Sequence, residues 1–260
     1  MCWPPQAFRA GTEEVWLRAR RYGASPDDLD LPLGGPDRPA AVDAVLAACA
    51  ADGQGKPLGA ARIRAANVAW RMQALLAVAA ATAGRALPAI GRCPRCGEGI
   101  DLHLDLADFA LEPPEGAIPM ETGGGGWRLR LPTGEDQARW LRAGAGQGDL
   151  AATLLADASG RPWPQGRDLP AGWAAAAETA LAGADPLTPL ALAFACPHCG
   201  GEGALEPDLE GLLLARLERE RRSLLRQVHA LASAYHWGEA EILALSPDRR
   251  AWYVERVGAA

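Results

Sequence analysis

Apolar positions recur at three- and four-residue steps through most of this chain, so most of it reads as amphipathic helix. The tail is the clearest case. Leu213, Leu217, Leu224, Val228, Leu231 and Tyr235 form one stripe, with Glu220 as its polar exception. Gly238 ends that helix, and Glu239 to Leu245 makes a short second one. Ser246-Pro247-Asp248 starts a third, with Ser at the N-cap and Pro at the first helical position. Nearer the start, Gly11-Thr12-Glu13-Glu14 reads as the opening of a short helix through about Tyr22. A second helix runs from Ala40 to Ala51 with Val42, Val45, Leu46 and Cys49 on one face. A third runs from Ile63 to Ala83 with a stripe of Ile63, Asn67, Trp70, Ala74, Ala77 and Ala81. Both read as core helices.

Strict alternation marks the strands. Ile100 to Leu106 places Ile100, Leu102, Leu104 and Leu106 inward and Asp101, His103 and Asp105 outward, so His103 reads as solvated. Trp127 to Leu131 alternates likewise, and its Arg128 and Arg130 would suit cross-strand pairing with Asp101 and Asp105. Residues 112–126, with Pro113-Pro114 and a run of Gly, read as loop. Thr133-Gly134-Glu135-Asp136 opens a helix that Gly144 to Gly148 interrupts and that resumes from Asp149 to Ala158. Gly172 to Leu181 is an Ala-rich helix, and Leu190 to Ala195 is an apolar strand.

Two copies of one short motif give this pattern its centre: Cys93-Pro94-Arg95-Cys96-Gly97 and Cys196-Pro197-His198-Cys199-Gly200. Each has the form of a zinc knuckle, a tight turn that aims two sulfurs at one point. Gly after the second Cys permits the positive φ the turn needs. Cys93, Cys96, Cys196 and Cys199 together make a closed tetrahedral set with no open position for chemistry, which predicts structural Zn2+. The pairs stand 103 residues apart, whereas a compact ribbon separates its pairs by about 15–20. A lobe is therefore expected to be inserted into one metal site. Cys49 reads as a small buried apolar residue, and Cys2 as a free terminal thiol.

Composition narrows the function. The formal net charge is −6, which argues against broad binding to a phosphate backbone. Arg216, Arg219, Arg221, Arg222 and Arg226 interleave with Glu218 and Glu220, as on a salt-bridged solvent face. The longest uncharged apolar run, Met72 to Gly84, is short of the roughly 20 residues that span a bilayer. Met1-Cys2-Trp3-Pro4-Pro5 lacks a basic start followed by an apolar core, so a cytoplasmic location is expected, where thiols stay reduced for metal. Asp52-Gly53-Gln54-Gly55-Lys56-Pro57 has the wrong order for a phosphate loop. There is no His-Glu-x-x-His and no Gly-x-Ser-x-Gly. Neither C-x-x-C opens a helix, as a redox motif would, so a non-enzymatic protein is expected.

The segments Leu224-Leu225-Arg226-Gln227-Val228-His229, Tyr235-His236-Trp237 with Glu239-Ala240-Glu241-Ile242-Leu243-Ala244-Leu245, and Arg249-Arg250 with Tyr253 resemble a C-terminal signature. It is that of a family encoded with phage tails and contractile injection systems, akin to T-even-type baseplate hub assembly chaperones. Leu131-Pro132-Thr133-Gly134 and Ala184-Asp185-Pro186-Leu187 resemble further stretches of that family. The likeness covers roughly residues 90–260. It implies a baseplate component or assembly factor, with baseplate or tail proteins as partners and incorporation into a particle as one outcome.

The expected fold is α+β and mostly helical. Residues 1–90 form a helical N-terminal region. Residues 91–206 form a split zinc ribbon, with knuckles at 93–97 and 196–200 and an inserted β-hairpin and helical lobe at 107–189. Residues 207–260 form a helical tail. Its stripe of Leu213, Leu217, Leu224, Val228, Leu231 and Tyr235, with Trp237 beyond, is expected to meet partner proteins. No membrane and no small-molecule substrate enter this reading. The alternative is a zinc-ribbon module that binds nucleic acid or serves transcription.

Overall fold

The computed structural model describes residues 7–10, 13–16, 18–120, 122, 126–187 and 190–258. Cys2 lies outside them. The chain is α+β and mostly helical, with small antiparallel sheets. Strands β1 (Ala7–Ala10) and β2 (Glu13–Trp16) pair with each other, and β3 (Arg18–Ala19) pairs with β4 (Ala50–Ala51). Within the helix expected from Gly11 to Tyr22, Glu13–Trp16 and Arg18–Ala19 are therefore strand, and Gly11, Thr12 and Leu17 lie outside the described residues. Local cues favoured a capped helix, but Arg18 and Ala19 find their partners in Ala51 and Ala50, across a separation that local pattern does not report.

Between those strands lie α1 (Pro26–Leu29) and α2 (Arg38–Cys49); α3 (Ala60–Ala65) and α4 (Val68–Ala83) follow. The single helix expected over 63–83 breaks before Val68 because the Asn67 side chain accepts the Trp70 N–H and caps α4. Then come β5 (Ala86–Arg92) and β6 (Gly99–Asp105), paired in a hairpin. A 3-10 turn over Leu106–Phe109 leads into the inserted lobe. The lobe holds β7 (Ile118–Met120), β8 (Trp127–Leu129), α5 (Gly134–Ala143), α6 (Gln147–Leu154), β9 (Leu155–Ala156) and α7 (Trp173–Ala184). The chain returns through the hairpin β10 (Leu192–Ala195) and β11 (Glu202–Leu205). It ends in α8 (Leu209–Tyr235), α9 (Glu239–Ala244) and α10 (Pro247–Gly258).

One core joins the two ends of the sequence. Val42, Val45 and Leu46 of α2, Leu75, Leu76 and Val78 of α4, and Leu213, Leu217 and Leu224 of α8 bury against one another. Arg216 of α8 is buried there and donates to the Ala83 and Gly84 carbonyls at 2.6 and 3.0 Å. A cation thus meets the negative end of α4. This corrects the expectation of Arg216 as a solvent-face residue. Arg221 and Arg222 do pair with Glu218, as the interleaved charges predict.

The lobe has a second core. Met120, Leu129, Leu154, Leu155 and Trp163 are buried, and Trp127, Trp163 and Trp173 meet with centroids 5.2, 5.4 and 5.5 Å apart. Sheet order is β7-β8-β9. So the stretch 112–126, expected as loop, contains a strand, and the helix expected to Ala158 stops at Leu154, where the chain enters β9. The expected pairing of Asp101 and Asp105 with Arg128 and Arg130 is also overturned. The neighbour of β6 is β5, which puts Arg85 against Asp105 at 2.7 Å, while Arg130 chelates Asp136.

Two backbone hydrogen bonds tie the lobe to the helical core: Val68 N–H to Pro132 O (2.8 Å) and Gly134 N–H to Ala66 O (3.2 Å). Gly134 lies against Arg71, a buried cation in the apolar helix α4. Arg71 donates to Asp43 (2.5 Å) and to the Ile63 and Pro39 carbonyls (2.9 and 3.2 Å). Three acceptors offset the burial of this charge.

Candidate metal centre

Each knuckle is the tip of a two-stranded hairpin. Register brings Arg92 opposite Gly99 in the first hairpin and Ala195 opposite Glu202 in the second. The tips close the same way. Cys93 N–H donates to Glu98 O and Gly97 N–H to Cys93 O, at 2.9 and 2.8 Å; Cys196 N–H donates to Gly201 O and Gly200 N–H to Cys196 O, both at 2.9 Å. Gly97 and Gly200 carry φ of 76° and 64°, the left-handed conformation that the motif predicts. Both hairpins lead into an Asp that caps the next turn: Asp105 accepts from Ala107 N–H, and Asp208 from Gly211 N–H. The site is thus built from two near-equivalent halves.

The halves meet tip to tip. The four sulfurs of Cys93, Cys96, Cys196 and Cys199 all lie within 4.8 Å of one another. Cys93 and Cys199 are 3.9 Å apart, and Cys96 and Cys196 are 3.7 Å apart. A tetrahedron with metal–sulfur bonds of about 2.3 Å has edges of about 3.8 Å. These contacts therefore fit four thiolates around one ion. Gly201 permits the approach, since a Cβ there would lie 3.0 Å from Arg95 of the other knuckle and 3.3 Å from the Cys199 sulfur.

Cys93 and Cys196 are buried, with Ile100 between the hairpins and Leu102, Phe194 and Leu205 packed around them; Cys96 and Cys199 are exposed. Backbone N–H groups, Cys96 first and then Arg95, hold the Cys93 thiol down at about 7. At Cys96 the Glu98 N–H acts in the same direction, but desolvation and the three neighbouring sulfurs outweigh it and push that thiol up to about 12. Four sulfurs this close do not all shed their protons unaided. A cation removes the repulsion, and its binding releases protons. With four protein ligands no coordination position remains for a substrate.

The other expected residues fall elsewhere. His103 is exposed on β6, away from the sulfurs. Cys49 is buried in the helical core, and burial pushes its thiol up to about 12. The expected partner stripe on α8 is corrected: Leu213, Leu217, Leu224 and Leu231 are buried by this chain itself, and Val228 packs partly against the same core. Periodicity identified a face that needs cover, and α4, α9 and α10 supply the cover. Only the end of the stripe reaches solvent. Tyr235 is 37 % exposed and stacks on Trp237 with centroids 4.8 Å apart, and Tyr253 of α10 closes over both.

The sequence reading missed the buried triad of Arg71, Asp43 and Gly134. The signal was a lone Arg inside the sixteen-residue apolar helix α4. It also missed β5 and β11, one strand of each hairpin that carries a knuckle. Among the described residues no helix is long and apolar enough to cross a membrane. Comparison of the chain with protein-family models, with curated proteins and with solved structures finds no match.

Proposed function

We propose that this chain is a zinc-clasped, non-enzymatic structural or assembly protein of a phage tail or contractile injection system baseplate, acting through protein–protein contacts. The observation that carries the metal role is the convergence of Cys93, Cys96, Cys196 and Cys199 from hairpins 103 residues apart onto one tetrahedral set. Zinc is the metal that such a closed four-thiolate site suits, and the protein's role for it is to hold shape. The baseplate context rests on the resemblance of the tail segments around Leu224–His229 and Tyr235–Leu245. Contacts with proteins are favoured over contacts with nucleic acid because the net charge is −6 and three of the five arginines in the Arg-rich part of α8 are engaged within the chain. Arg216 caps α4, and Arg221 and Arg222 bind Glu218.

Metal analysis of the purified protein tests the first half, with one zinc per chain expected and loss of it in Cys96→Ser/Cys199→Ser. A preparation made under reducing conditions that carries no stoichiometric metal and gains none on zinc addition overturns it. Co-expression with the sheath, tube and baseplate proteins encoded by the same source tests the second half. Co-purification with a baseplate subcomplex is expected, and its absence from every such subcomplex refutes the context.

A further inference from the structure

Helix α7 presents an unsolved burial problem. Its sequence, Trp-Ala-Ala-Ala-Ala-Glu-Thr-Ala-Leu-Ala-Gly-Ala, is apolar nearly all round, yet Ala177 is its only fully buried residue. A helix of that composition is ordinarily enclosed on every side. One side of α7 packs on the tryptophan core of the lobe. An overlapping face, which shares Ala174, Ala177 and Leu181 with that core and extends to Glu178 and Ala182, lines a groove of about 670 Å³ between the lobe and the ends of the second hairpin. Leu150 and Leu154 of α6 and Ala174, Leu181 and Ala182 of α7 form one wall; Leu190 and Pro207, which flank the second zinc hairpin, belong to the other. The small alanines leave the space open.

The charge at the groove is one-sided. Three carboxylates, those of Glu178, Glu206 and Asp208, line it, and no Lys or Arg does. Asp208 is committed, since it binds Arg38 at 2.6 Å and caps α8. Glu178 and Glu206 are exposed, and they flank the apolar floor from opposite walls. An apolar floor between two acidic walls calls for an occupant with an apolar stripe and cations on both sides of it. The twelve-residue α7 is about 18 Å long, the length of a few helical turns laid alongside it.

We propose that this groove is the docking site for an amphipathic helical segment of a partner protein, with Leu-type anchors facing α7 and Lys or Arg facing Glu178 and Glu206. The proposal rests on reading the chain as one that acts by protein contacts, and it places that contact at the lobe–ribbon junction. The far wall is held by α8, since Asp208 caps that helix and binds Arg38.

The test uses the full zinc-loaded chain and two fluorescein-labelled eighteen-residue peptides (about 27 Å as helix), one with a Leu stripe and Lys elsewhere, the other with Glu replacing Lys. Fluorescence anisotropy is expected to show saturable binding of the Leu/Lys peptide and none of the Leu/Glu peptide. Glu178→Lys/Glu206→Lys and, separately, Ala182→Trp should each weaken binding at least tenfold. The remote pair Glu112→Lys/Glu255→Lys, with the same change in net charge, should weaken it less than threefold. If the remote pair weakens binding as much as the groove pair, the peptide is reading net charge and the proposal fails. It also fails if no variant matters, or if a folded Ala182→Trp leaves peptide binding unchanged. Should Ala182→Trp fail to fold, the surface pair Glu178→Lys/Glu206→Lys decides alone. Zinc content measured on the same samples separates failure here from failure of the metal role. Baseplate capture that survives Glu178→Lys/Glu206→Lys would leave the assembly role standing and move its contact elsewhere.

Discussion

Removing the metal should unfold the two knuckles and leave the helices in place. The cluster behind the sulfurs contains three buried residues, and two of them are the ligands Cys93 and Cys196. Ile100 alone is a buried aliphatic side chain there, worth about 1.5–3 kcal/mol of burial. A structural zinc ion in a four-thiolate site contributes about 10–16 kcal/mol, most of the stabilisation available at this end of the molecule. The helical core is different. It joins α2, α4 and α8 through many buried aliphatic residues, and the lobe is tied to it at Pro132 and Gly134 without help from the ion. The consequence is local. Amide hydrogen exchange, followed by NMR with and without a zinc chelator under reducing conditions, should show the N–H groups of Cys93, Gly97, Cys196 and Gly200 exchanging at least about 100-fold faster in metal-free protein. That corresponds to a loss of about 2.7 kcal/mol of local protection. Amides in α4 and α8 should change by less than about threefold over the same comparison, a difference under about 0.7 kcal/mol. Persisting protection of the Gly97 and Gly200 amides without metal would show that the hairpins close by themselves. Equal loss of protection in α4 and α8 would show that the clasp supports the whole fold. Either result refutes the reasoning.

Three further outcomes follow from single contacts. Gly134→Ala should cost about 1–3 kcal/mol in urea unfolding, because the new Cβ would lie 2.5 Å from the Arg71 guanidinium, which is pinned by three acceptors; an unchanged midpoint would show that Arg71 moves freely. Arg216→Met should cost about 1.5–3 kcal/mol by leaving the Ala83 and Gly84 carbonyls without their charged donor, whereas Arg219→Met, on the same helix, should be nearly neutral. Burial works to raise the Asp136 carboxyl, but Arg130 and the Thr133 N–H outweigh it and hold it below its ordinary 3.8. Its contribution to stability is therefore complete above the unfolded-state value and is lost as pH falls through the depressed folded value. Asp136→Asn should flatten that acid limb of a stability–pH curve, and an unaltered limb would assign it to other carboxylates.

What the sequence made legible follows from the range over which each signal acts. The Cys-Pro-x-Cys-Gly motif carries the turn, its left-handed glycine and both ligands within five residues, so the knuckles were readable in full and their convergence followed from ligand count. The strands beside them were not. Ala86–Arg92 contains Pro and Gly and alternates poorly, and Glu202–Leu205 is only four residues long. Such strands depend on a hairpin partner, which leaves no trace in a short window. The same limit governs α8. A stripe of Leu at helical spacing states that a face must be covered, and it is silent on whether the cover is another subunit or a helix 130 residues upstream. Arg216, whose nearest acceptors are 132 and 133 residues away, shows the scale of that separation. Composition of the whole helix carries more information than its stripe. In α4 a cation inside an apolar run was a signal, missed by the sequence reading, of buried acceptors, which are Asp43 and the Ile63 and Pro39 carbonyls. In α7 an apolar sequence of the same kind remains half uncovered. The physical requirement is the same in both helices. The chain meets it for α4 with its own residues, and at α7 it leaves the face of Ala174, Leu181 and Ala182 on an open groove.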